Sequence, residues 1–161
     1  MSQIKNKKIL NLILSFSILA IITAYIIQYV LGHQPCNLCF IERIPYIFTI
    51  IIVSVCLFSN KFEKITLIIL SLTFFTLTLL SFYHFGIEQG FIKESLVCDL
   101  KIPSNELTKE DLLNQLKEMP VSCKNVTFKI FGLSLATFNI FISLILSAIT
   151  MKIFLSYEKN K

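Results

Sequence analysis

Cys36 and Cys39 stand three residues apart in the stretch GHQPCNLCFIERIP, residues 32–45. If a helix begins near Asn37, both lie on one face at its N-terminus, with Cα atoms about 5–6 Å apart, inside the range a disulfide requires. A helix N-terminus carries partial positive charge and unpaired N–H groups, and both lower the pKa of a nearby thiol. The thiolate is the reactive form, so the pair has the chemistry of thiol–disulfide exchange. Arg43 follows Cys39 by four residues and falls on the same face one turn deeper. A permanent cation beside apolar residues is costly at bilayer depth unless it reaches the interface or answers a charge. It therefore either snorkels as an anchor or stabilises a Cys39 thiolate or an anion forming on an adjacent electron acceptor.

Cys98 and Cys123 form a second candidate pair, bracketing a polar segment. A bond between them would stabilise the fold by roughly 3–4 kcal/mol in the chain-entropy picture. Exposed to an attacking thiolate, the same bond would instead pass oxidation on from Cys36–Cys39, provided Cys123 can approach Cys36. All four thiolates together would also suit a structural zinc ion. Cys56 lies inside the apolar run IIVSVCLF and reads as a buried filler.

The elements that position these residues are apolar. The chain has 161 residues, 55% of them hydrophobic and 16% charged, and its mean hydropathy is +0.74. That balance excludes an ordinary soluble domain and points to a membrane protein. Apolar stretches run over about 9–31, 41–58, 65–85 and 130–151. At about 1.5 Å of rise per residue, some 20 residues cross the hydrocarbon core, so the first, third and fourth suffice. The second is short and begins at Arg43 and Pro45, but the other three leave no other sensible topology. The first stretch is too long for the apolar part of a signal peptide and has no small-residue cleavage site after it, so it is read as retained.

Lysines set the orientation. Lys5, Lys7 and Lys8 precede the first span, Lys61 and Lys64 lie between the second and third, and Lys152, Lys159 and Lys161 end the chain. The loop over 32–40 has no Lys or Arg, and the loop over 86–129 dilutes its lysines among acids. By the positive-inside rule both termini are cytoplasmic, and the cysteines outside the spans face a compartment where disulfides persist. Within the long loop, LTKEDLLNQLKEMP offers Thr108 as N-cap, with Asp111 three residues later. Leu112, Leu113, Leu116 and Met119 share one face until Pro120 ends the run. This predicts a short amphipathic helix, lying on the membrane or packed on the span tops. The expected fold is all-α: a polytopic four-helix bundle forming a single membrane domain over 1–161. No phosphate loop, repeat or intramembrane charge path is present, and the small lysine clusters beside apolar runs do not suit nucleic acid.

With these residues in view, the chain resembles the DsbB family, bacterial membrane proteins that re-oxidise the periplasmic oxidant DsbA and pass electrons to quinone. The resemblance covers nearly the whole chain and rests on PCNLCFIER, YHFGIEQGF, the lone Cys98 and MPVSCKNVTFKIFGLSLATFN. It implies a quinone-coupled disulfide of Cys36 and Cys39 and a shuttle pair of Cys98 and Cys123. It also implies that the DsbA-like partner attacks Cys98, that Cys123 pairs transiently with Cys36, and that Cys39 donates to ubiquinone or menaquinone beside Arg43. Glu42, Gln28 and His84 match family positions near the quinone, although Gln28 also reads as a satisfied polar group and His84 as an interface residue. Asn139 and Gly132 are read as helix-packing positions. The implied location is the bacterial inner membrane, with a periplasmic thioredoxin-fold partner. Three other readings differ in class or target. One is a non-catalytic scaffold with a periplasmic four-cysteine zinc site. A second is a relative of the vitamin K epoxide reductases, whose C-x-x-C lies in the fourth span. The third is a variant dedicated to one substrate protein.

Overall fold

The computed structural model describes residues 2–59, 63–93, 98, 122–124, 128–130 and 132–159. The chain is a polytopic α-helical membrane protein. Among the described residues, four helical stretches are long and apolar enough to cross a bilayer: Lys7–Val30, Asn37–Ser59, Glu63–Glu88 and Leu135–Ser156. In order, the elements are α1 (Ser2–Tyr25), a π-helical turn (Ile26–Val30), α2 (Asn37–Ile41), α3 (Arg43–Ser59), α4 (Glu63–Glu88), β1 (Lys129–Ile130), β2 (Leu133–Ser134) and α5 (Leu135–Lys159). The segment expected to form an amphipathic helix, residues 108–119, lies outside the described residues.

Each departure from a plain span has a local cause. The first helix widens to a π turn, with Leu31 N–H reaching Ile26 C=O at 3.1 Å, and this turn carries Gln28. Such turns recur at functional positions. The second span breaks between α2 and α3 at Glu42. Pro45 has no N–H to give to Ile41, and its ring crowds that carbonyl, so a straight helix through this point is disfavoured. The fourth helix starts at Leu135, later than the apolar run over 130–151 suggested, because β1 and β2 pair as an antiparallel hairpin, Lys129 opposite Ser134 and Ile130 opposite Leu133. Ser134 then caps α5, its Oγ accepting from Thr137 N–H at 3.3 Å.

Helix α4 is the centre of the bundle: 39% of its most apolar window is buried, against 17% for the first and last spans. It packs along α5, while α1 packs on α3. Leu10, Ile13, Val53, Leu70, Phe74 and Leu77 fill the core between them, with Cys56 among them. The hydrophobic effect does not draw helices together in lipid, so close packing and small polar side chains do the joining. Thr78 Oγ1 donates to Ser143 Oγ at 2.9 Å, and Ser147 Oγ to Ser71 C=O at 3.3 Å, both across α4 and α5. The outer residues of every span remain apolar and uncovered, as lipid contact requires; Leu12, Ile51, Phe82 and Phe141 are examples.

Candidate active site

Cys36 is the N-cap of α2, and its Sγ accepts the Cys39 backbone N–H at 3.3 Å. The two sulfurs are unbonded and 2.7 Å apart. Cys36 is buried and Cys39 partly exposed. The Cys36 thiol pKa is pulled down from 9.0 to about 5, first by the hydrogen bond from the Cys39 thiol. Burial works against this, while hydrogen bonding and charge from His84 add to it. The Cys39 backbone N–H at the helix N-terminus adds a smaller lowering of its own.

His84, near the end of α4, is 2% exposed and bridges the site. Its Nε2 lies 3.4 Å from Cys36 Sγ, and its Nδ1 lies 3.0 Å from Glu42 Oε1. Glu42, at the break between α2 and α3, is held on its other oxygen by Asn139 Nδ2 of α5 at 3.1 Å. Asn139 also donates to Ser81 Oγ at 2.9 Å and accepts from Tyr46 O–H at 2.5 Å. Residues from α4 and α5 thus meet on one buried carboxylate, and Tyr46 of α3 joins them through Asn139. Asn139, expected to serve packing, does so by binding Glu42. Sequence reasoning did not single out Tyr46, Ser81 or Glu88, the last of which places Oε1 3.6 Å from His84 Nε2. The only signal for Glu88 was its place one turn after His84 in YHFGIEQGF.

Arg43 hydrogen-bonds neither sulfur. Its Nη1 donates to Gln28 Oε1 at 2.7 Å, and its guanidinium lies 5.3 Å from the centre of the Tyr25 ring and 6.0 Å from that of Phe40. It reaches the cysteines through a shared space. A cavity of about 340 Å³ runs between α1, α3 and α5, and Cys36, Cys39, Arg43 and His84 line its polar end, with Phe16 and Ile142 among the apolar walls.

Cys98 and Cys123 are bonded to each other, with Cα atoms 5.8 Å apart. Both pack in one buried cluster with Cys36, Leu38 and Ile87, and Cys123 also lines the cavity. That bond removes two of the thiolates a four-cysteine zinc site would use. Cys36 and Cys39 are close enough to join as a disulfide.

Residues 6–153 match the profile of the family described as disulfide bond formation protein DsbB. The chain is also 34% identical over 157 residues to the uncharacterized protein RP370 of Rickettsia prowazekii (strain Madrid E), an alignment covering 95% of this chain and 90% of that one. No solved structure matches.

Proposed function

The chain belongs to the DsbB family of disulfide bond formation proteins, and from that premise we propose that this multi-pass membrane oxidoreductase is a quinone-linked thiol oxidase of the bacterial inner membrane. It re-oxidises a periplasmic DsbA-like dithiol and passes the electrons to quinone. The observation that carries this reading is the shared setting of the two cysteine pairs. Cys36 and the Cys98–Cys123 bond occupy one buried cluster, and Cys36 and Cys39 also line a largely apolar cavity between membrane helices.

The cavity suits a quinone head and the start of its tail: aromatic and aliphatic walls, with a cation and polar groups gathered at one end. Arg43, steadied by Gln28 from behind, would hold the head, and Cys39 and His84 would face it. A bound quinone supplies a two-electron acceptor in the lipid phase. The remaining steps belong to the protein. The partner's thiolate attacks Cys98 and releases Cys123. Cys123 attacks Cys36 of the oxidised inner pair and frees Cys39. The second partner thiol then resolves the mixed disulfide at Cys98, and Cys98 displaces Cys36 from Cys123, leaving the inner pair reduced. Each exchange conserves one disulfide bond, and the inner pair gains two electrons. DsbA-type donors sit near about −120 mV, so an ordinary disulfide does not oxidise them and the pull must come from the acceptor. Arg43 supplies a fixed positive charge where negative charge develops.

The test is to mix the purified chain with reduced DsbA-like protein and a quinone and to follow the quinone absorbance. Native protein should turn over. Arg43→Ala should slow quinone reduction by a factor of about 10²–10³, the scale for losing one such charge-stabilising group, while exchange with the partner stays near native speed. Cys98→Ser should abolish capture of the partner. Equal slowing of both steps by Arg43→Ala would make that residue structural, and normal turnover of Cys98→Ser would reject the shuttle.

A further inference from the structure

Glu88 has no role in the steps above, yet it is built into the same site. Its side chain is 5% exposed, and Oε1 lies 3.6 Å from His84 Nε2, the nitrogen that also faces Cys36 Sγ at 3.4 Å. Ser134 of β2 is a polar neighbour of the carboxyl, but Oε2 is buried with no partner. Glu42 is the contrast: His84 meets one of its oxygens and Asn139 the other. A buried carboxylate with an unpaired oxygen is expensive, and a proton there removes the cost. Of the two acids flanking His84, Glu42 has both oxygens partnered, whereas Glu88 keeps one oxygen open to a proton.

The groups facing Glu88 make such a store useful. They are His84 on its own helix, Cys36 and Glu42 from the two ends of α2, and Ser134 from β2. Cys39, Arg43, His33 and Tyr46 line the adjoining cavity. Both ring nitrogens of His84 face acceptors, so the imidazole is positioned to carry two protons. Reduction to one thiol and one thiolate would add a negative charge to this buried pocket unless a proton were taken up beside it.

We propose that Glu88 is the proton store of the inner pair, taking up a proton through His84 as Cys36 becomes a thiolate and giving it back when the pair is oxidised. On reduction the Cys36–Cys39 bond breaks, and two electrons and two protons enter. Cys39 keeps one proton as its thiol, Cys36 becomes the thiolate, and the second proton lies on Glu88, so the charge of the site does not change. On oxidation the sulfur–sulfur bond re-forms, and the two electrons and both protons leave to the acceptor. Glu88 acts through His84 and is a positioning residue for the proton.

Only the destination of the electrons rests on the thiol-oxidase reading. The experiment needs neither partner nor quinone, so its failure and the failure of that reading are separate results. Reduced-minus-oxidised infrared difference spectra of the full chain in detergent, with dithiothreitol as reductant, should show a protonated carboxyl C=O stretch appearing on reduction and shifting down in D2O. Glu88→Gln should lose the band, and Glu42→Gln should keep it. Glu88→Asp, which retains the acid even should the glutamine variant not fold, should show it at a shifted position. A band absent from the native protein, absent from Glu88→Asp, surviving Glu88→Gln, or removed equally by Glu42→Gln overturns the proposal.

Discussion

Cys36 concentrates the local physics of the site. Capping α2 gives its sulfur a backbone N–H, Cys39 gives a thiol hydrogen bond, and His84 adds charge, so the thiolate persists down to about pH 5. Because the thiolate is the form that reacts, alkylation of the reduced protein by iodoacetamide should rise roughly tenfold per pH unit below that point and level off above it. An ordinary thiol would keep accelerating towards pH 9. His84→Ala should move the inflection upward, since it removes one cause of the lowering; an unchanged profile would take His84 out of the site. The sequence made the cysteines legible because their spacing is itself a geometric statement. It did not show Glu88 or the full part of Asn139, because their partners lie far along the chain and meet them only after the helices pack.

Between elements, the seam of α4 and α5 holds the frame on which the site sits. Ser147 donates to Ser71 C=O across it, and a larger side chain there has to push the helices apart. Ser147→Leu should lower stability by about 1–3 kcal/mol, the usual cost of overpacking, read as a lower unfolding midpoint in detergent. It lies two turns from Asn139, so the alkylation inflection of Cys36 should stay near 5. A shift of that inflection would show that the seam tunes the site as well as holding it. The existence of four apolar helices was readable from hydropathy alone. The π turn at Gln28 and the hairpin before α5 were not. The first is tied to an Arg43 contact from another helix and the second to cross-strand pairing at Lys129 and Ser134, and hydropathy records neither.

For the whole molecule, the proposed orientation places the chain ends and the cysteines on opposite sides of the membrane. A green fluorescent protein fused after Lys161 should fluoresce, and alkaline phosphatase fused there should be inactive. The reverse result would put both cysteine pairs in a reducing compartment, where their disulfides would not persist. The membrane class, the family and the residues able to do sulfur chemistry follow from the sequence by itself. Hydrophobicity and positive charge add up along the chain, and a C-x-x-C pair meets within one helical turn wherever it is placed. Only the tertiary structure decided which sulfur caps α2 and meets His84, that Arg43 turns to Gln28 and Tyr25, and that His84 is set between two unlike carboxyls. Those outcomes depend on how each helix is rotated about its axis, and that rotation is fixed by packing against neighbours that local sequence does not name.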